Sequence, residues 1–217
     1  MHEVFEPILH ALNERDRARV EAAFAAVEYS TEPVSEAQAP ALQDAILRRS
    51  VADMLHAVGR ELVAAGPYTW TSGYRDDIAA RLAATGTAVL AESDRAVLTL
   101  VLVYSVAMAR AEGKLDADTW MSPFIAPMED LQRRTQVSKT ALRESLERLR
   151  AAGLVRLASG PTYNGVKATG YIPGPQFHRL TKAARTRLQN RLILAAAPDS
   201  PLAAAIRARR GYTQEQD

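Results

Sequence analysis

Apolar residues recur at helical spacing through most of this chain, and the places where the rhythm breaks mark its elements. Residues 2–28 read as one or two helices, with Asn13 as the break. TEPVSEAQAP (31–40) is a loop whose Pro40 suits a first helical position. A helical pattern follows from Ala41 to Val58, and Gly59 can stop it. ELVAA and YTWTS then flank Gly66-Pro67, consistent with a small hairpin. The competing reading is a helix that runs on to Ala65 with Gly66 as its cap. DDIAARLAA is a short helix ending at Gly86, and Ser93 is placed to cap a long apolar helix ending near Gly113. The run AVLTLVLVYSVAMA (96–109) has 14 residues and is bracketed by Arg95, Arg110 and Glu112. That is short for a membrane span, so a buried core helix is expected. Residues 114–126 read as an irregular connector.

The stretch 127–172 is the most informative. Pro127 and MEDLQRR suit a short helix, which TQV breaks. Ser138 can cap the next helix, KTALRESLERLRAA, in which Leu142, Leu146 and Leu149 form the apolar stripe. Gly153 supplies a left-handed stop. LVRLA reads as a strand, SGPTYNG as a loop and VKATGYI as the returning strand. PGP (173–175) breaks the chain. Helices from about Thr181 to Ala197 and from Pro201 to Arg210 complete it, with GYTQEQD frayed.

Part of this pattern occurs twice. Leu55-x-Ala57-x-Gly59-x4-Ala64-x-Gly66-Pro67 returns 94 residues later as Leu149-x-Ala151-x-Gly153-x4-Ala158-x-Gly160-Pro161. Leu and Ala matches are cheap in this composition, but the chain has only 11 Gly and 11 Pro, so their coincidence carries weight. Both segments end a helix at glycine and enter a turn seven residues later. The fold class expected is mainly α with small β-hairpins, a winged helix-turn-helix in tandem. The expected domains are an acidic, helical or winged-helix-like one over 1–92, a basic winged helix over 93–197, and a C-terminal helix and tail over 198–217.

Charge separates the halves. Residues 1–110 carry 10 Lys/Arg against 15 Asp/Glu, whereas residues 131–210 carry 16 against 3. A basic domain joined to an acidic one suggests a polyanion surface on one side and a protein surface on the other. The competing explanation is that the arginines merely solvate helices. Cysteine is absent, which removes disulfides, thiol catalysis and Cys-based metal sites. The N-terminal MHEVFEPILH lacks the basic start and apolar run of a signal peptide, so a cytoplasmic location is expected, nucleoid-associated if the basic half meets DNA.

Catalytic signatures are missing: no GxSxG, no phosphate-binding GxxxxGK[ST] and no HExxH. His2, His10, His56 and His178 are scattered without ligand spacing, and His56 reads as a core or surface residue. Asp76-Asp77 suits a helix start, and Trp70 and Trp120 suit packing. Neither an enzyme nor a cofactor is expected.

In its order of elements, 127–172 resembles the winged helix-turn-helix superfamily, and VSKTALRESLERLRAAGLVR is its most typical part. That resemblance implies duplex DNA in contact with the second helix. With the leucines inside, Lys139, Thr140, Arg143, Glu147 and Arg150 fall on or near the outer face. Arg133 and Arg134 lie on the preceding helix, and Tyr163, Asn164 and Lys167 in the wing. His178, Arg179, Lys182, Arg185, Arg187 and Arg191 extend the positive surface. Glu144 and Glu147 oppose phosphate, pair with Arg148 and Arg150 as helix neighbours, and leave open a helix that packs on protein. With the tandem echo and the helix DRAVLTLVLVYSVAMAR, the layout resembles kite-type, MukE-like subunits of bacterial SMC (condensin-like) complexes. That implies a homodimer, kleisin binding and a part in chromosome partition, with no membrane association. The alternatives are a dimeric winged-helix transcription regulator and a plasmid replication initiator.

Overall fold

A computed structural model describes residues 3–86, 90–116, 119–135, 137–163, 166–196, 199 and 201–214, excepting the side chains of 161–167, 195–196, 202 and 209–214. The chain divides into two compact units, Met1–Val89 with Pro175–Thr181, and Leu90–Gly174 with Lys182–Asp217.

Unit 1 opens with α1 (Glu6–Leu9) and α2 (Glu14–Tyr29). Asn13 separates them by accepting the Asp16 amide at 2.9 Å, an N-cap. The buried stripe Val20, Ala23, Phe24 and Val27 of α2 faces the core, where the Phe5 ring meets Phe24 edge-on. Strand β1 (Val34–Ser35) and a 3-10 turn, Pro40–Leu42, lead to α3 (Ala45–Ala57). The helix starts later than the periodicity suggested. Asp44 accepts the amides of Ile46 and Leu47 and so fixes the start, leaving Ala41 and Leu42 in the turn. Gly59 ends the element at φ 76°.

Strands β2 (Arg60–Gly66) and β3 (Thr69–Tyr74) pair from Arg60↔Tyr74 to Gly66↔Thr69. The hairpin is therefore present and the helix to Ala65 is not. At its tip Pro67 precedes Tyr68, which takes φ 56° and is 76% exposed. Helix α4 (Asp76–Ala84) follows and ends at Gly86, φ 65°.

Pro175–Thr181 completes this unit from far along the chain. Its 3-10 turn, Pro175–Arg179, buries Pro175 and Phe177. Arg179 donates to the Ser72 hydroxyl at 2.6 Å, to the Ser72 carbonyl at 3.1 Å and to the carbonyls of Glu28 and Ser30. Thr181 donates to Asp76 at 2.9 Å. A Cβ on Gly73 would stand 2.3 Å from the Arg179 carbonyl oxygen, so only glycine lets the segment lie down here.

Unit 2 is built on α5 (Glu92–Leu102), a π-helical turn (Val103–Ala107) and α6 (Met108–Ala111). Ser93 does not cap this helix. Ala91 holds the cap position without a side-chain bond, and Ser93 lies inside the first turn. Strand β4 (Ala126–Pro127), α7 (Met128–Arg134) and α8 (Lys139–Ala151) follow. Ser138 caps α8 by accepting the Ala141 amide, and Gly153 ends it at φ 69°. Strands β5 (Val155–Tyr163) and β6 (Val166–Pro173) form a longer hairpin than expected, because SGPTY extends the strand instead of looping. Helices α9 (Lys182–Ala196) and α10 (Pro201–Gln214) close the unit, the latter running past Arg210 into residues expected to fray.

The sheets have the same order, β1-β3-β2 and β4-β6-β5. Helices α3 and α8 have the same length, and the 94-residue offset maps Asp44 onto Ser138 and Gly59 onto Gly153. Helix, short strand, capped helix and hairpin recur in each unit, a winged-helix-like layout in both, with the 3-10 turn Pro40–Leu42 standing in unit 1 where unit 2 has α7. The echo ends at the second glycine. Gly66-Pro67 is a hairpin tip, whereas Gly160-Pro161 sits in a register shift between Ser159 and Thr162 midway along the wing.

Candidate nucleic-acid interface

Helix α8 is amphipathic in the sense its sequence implies. Leu142, Ser145, Leu146 and Leu149 are buried, with Val97 and Val101 of α5 and Leu131 of α7 in the same core. Lys139, Thr140, Arg143, Glu144, Glu147 and Arg150 are exposed. At roughly 100° per residue, Lys139, Arg143 and Arg150 lie within about 40° of one another on the helix projection, a cationic stripe along one edge of the outer face. Glu144 and Glu147 stand nearer the middle of that face. Of the pairing expected, Glu144 acts on Arg148 electrostatically, while the close ion pair of Arg148 is made elsewhere.

Arg148 reaches across to α5 instead. Its Nε donates to Asp94 Oδ2 at 3.0 Å and its Nη2 to Asp94 Oδ1 at 2.7 Å, with Ser145 Oγ at 3.1 Å. The Asp94 side chain is 7% exposed and that of Arg148 53%. The Arg148 hydrogen bonds hold the Asp94 carboxyl below its usual range, burial opposes them, and Ser145 assists. A bidentate pair of this kind fixes direction as well as distance, so it sets how α8 is presented.

The other expected contacts separate into three groups. Arg133 and Arg134 are exposed on α7, with Arg133 bonded to Asp130 one turn back. Lys182 is exposed at the start of α9, as are Arg187 and Arg191 further along it, while Arg185 is half-buried with its Nε enclosed. Lys167 sits on β6 opposite Thr162, and its side chain, like those of Tyr163 and Asn164, lies outside the described residues. Arg179 leaves the set. It belongs to unit 1, where its guanidinium is spent on carbonyls and a hydroxyl, and burial pulls its pKa down while nearby Glu28 opposes that.

The equivalent helix of unit 1 presents a different surface. Ile46, 73% exposed, Arg49, Asp53 and His56 line the outside of α3, a mixed face with equal formal charges of each sign. His56 is thus a surface residue. Its neighbour is Arg75, whose guanidinium also binds Asp77. In unit 1 Trp70 donates to Glu36 at 3.0 Å beneath the Arg48 guanidinium, and in unit 2 Trp120 is buried under Arg110.

No protein-family model and no curated protein matches this chain. Among solved structures it is similar to a conserved hypothetical protein from Chlorobium tepidum, at 15% identity, over 76% of this chain and 96% of that one, with a TM-score of 0.30. It is also similar to a chain of an Nse1-Nse3-Nse4 complex, at 12% identity, over 95% and 100% respectively, with a TM-score of 0.40. At those scores neither likeness transfers a function. No helix among the described residues is long and apolar enough to cross a membrane.

Asp44, Asp94 and the true place of Arg179 escaped the sequence reading. Asp44 had a local signal, an Asp just before the first uninterrupted apolar period. Asp94 and Arg179 had none, because their partners lie 54 and 107 or more residues away.

Proposed function

We propose that this chain is a non-enzymatic, DNA-associated protein that grips duplex DNA through unit 2 and a protein partner through unit 1. In the finer form of this reading it is a kite-type accessory subunit, dimeric and kleisin-binding, of a bacterial condensin-like SMC complex. The observation that carries the reading is one topology used twice with opposite charge. The helix that would enter the major groove bears Lys139, Arg143 and Arg150 on one edge in unit 2, and no such stripe in unit 1. In this reading Arg133 and Arg134 neutralise flanking phosphates, Thr140 sits where a recognition helix meets base edges, and Lys167 extends contact along the wing. The acidic balance of residues 1–110 disfavours a second phosphate contact there and favours protein.

The test is a gel-shift titration of the full chain on duplex DNA at several salt concentrations. The full chain is needed because a fragment starting at residue 114 would lack Val97, Val101 and Asp94, on which α8 rests. Each phosphate contact releases counterions, so six contacts predict a fall of roughly 10³-fold or more between 50 and 200 mM salt. Absence of binding at low salt removes DNA from the account. Affinity purification from the native cell separates the finer readings. A coiled-coil ATPase with its kleisin supports the kite assignment, and recovery of the chain with only itself supports a dimeric regulator.

A further inference from the structure

We propose that the outer face of α3 is the surface through which two copies of this chain join, the two helices packing antiparallel about a two-fold axis. This rests on the reading of unit 1 as the protein-binding half, and it names the partner and the residues. Ile46, Arg49, Asp53 and His56 follow one another at intervals of three, four and three residues, the spacing of a coiled-coil seam. All four are exposed. At roughly 100° per residue they lie within about 80° of one another, on the side of α3 away from buried Leu47, Val51, Met54 and Leu55. In an antiparallel pair centred on Val51, Arg49 faces the partner's Asp53 and Ile46 faces the partner's His56, each contact occurring twice.

Charge selects this occupant. Neither Arg49 nor Asp53 has a hydrogen bond or ion pair among the described residues. DNA or an acidic protein laid on the stripe meets Asp53 with like charge, and a basic protein meets Arg49. The same helix run in reverse satisfies both charges. The wing supplies an independent observation. Tyr68 holds φ 56°, which glycine adopts freely and tyrosine does not, and it is 76% exposed, so burial within the chain does not offset the strain. Its carbonyl accepts the Glu36 amide at 3.0 Å, and Gln43 donates to the Glu36 carbonyl at 3.1 Å, which sets the wing tip beside the N-terminal end of α3. Antiparallel packing brings each copy's Tyr68 to the C-terminal end of the opposite α3, where an aromatic anchor gains the burial it lacks alone.

Sedimentation equilibrium of the full chain tests this, with a dimer expected at about 10 μM. Arg49→Asp and Asp53→Arg each set like charges across the axis and should weaken the dimer at least about tenfold. An equimolar mixture of the two variants should associate again, because their reversed charges then face each other, and that recovery shows that both are folded. Tyr68→Gly should weaken the dimer severalfold, yet raise the denaturant midpoint when placed in the monomeric Arg49→Asp chain, since glycine takes that φ without strain. A monomeric wild type overturns the proposal. So does a dimer that neither charge reversal weakens, or a mixture that stays monomeric. Gel shifts on a duplex of about one helical turn (~10 bp), which admits one unit 2 at a time, keep the two readings apart. There Arg49→Asp should bind as wild type does and Arg143→Glu should not. A monomeric wild type that still binds DNA through Arg143 ends the self-association and leaves the DNA grip standing, whereas a dimer that binds no DNA does the reverse.

Discussion

Unit 1 and unit 2 solve the same folding problem with different chemistry. Each caps the helix before its hairpin with a short polar side chain, Asp44 or Ser138, ends it at a left-handed glycine, and returns through antiparallel strands. They differ in what anchors that frame. Unit 2 ties its helix to α5 with the Asp94–Arg148 pair. Unit 1 ties α2 to its sheet with the Glu28–Arg60 pair at 3.0 Å, and then recruits Arg179 beside it from the far end of the chain. A winged helix therefore specifies a frame of caps, glycines and apolar stripes, and leaves the outer faces free to diverge.

The sharpest way to break the comparison is to bury a charge in each core. Leu146→Asp in unit 2 and Leu55→Asp in unit 1 should each unfold their unit, because an unpaired buried charge costs several kcal/mol or more. Circular dichroism melts decide it, and native-like melting of Leu146→Asp would invalidate the orientation of α8. Next comes Gly73→Ala, which sets a Cβ against the Arg179 carbonyl and should cost unit 1 about 1–3 kcal/mol. Hydrogen exchange should show protection lost around Ser72 and Thr181. Equal loss throughout unit 2 would contradict the local account.

A smaller effect is expected from Asp94→Asn, about 1–2 kcal/mol, since its partner is half-exposed and screened. The folded carboxyl lies below its unfolded value, so its contribution is present above about pH 4 and is lost as pH falls through the folded value. Denaturant titrations from pH 6 to pH 2 should show a flatter profile for the variant. Parallel profiles would remove the pair from the stability account. The smallest effect on folding is that of Arg143→Glu, within about 0.5 kcal/mol. It should nevertheless weaken DNA binding at least tenfold, whereas Arg49→Glu, on the matching helix of unit 1, should leave binding unchanged.

Much of the frame was legible because its signals are local. Ser138, Gly153 and the three leucines define α8 within sixteen residues, and the glycine echo located the second hairpin. Where two meanings share one local pattern, sequence was a weaker guide. Gly160-Pro161 reads like Gly66-Pro67, but Gly160 lies against Ile125 inside a longer wing, and only strand pairing distinguishes bulge from tip. Of the candidate interface, exposure of Lys139, Arg143 and Arg150 followed from helical geometry alone. Arg179 did not follow, because a surface arginine and one that satisfies distant carbonyls look alike until the chain is folded.

That distant arginine has a consequence for how the protein is made. The first 89 residues emerge from the ribosome with every helix and strand of their winged helix, but not with Pro175–Thr181. At roughly 5–20 residues per second, the intervening stretch takes about 4–17 s to synthesise. During that time Phe177 and Arg179 have not yet reached their places beside Gly73, and the nascent unit waits with that part of its surface uncovered. The older half of the chain is finished last, by the younger half.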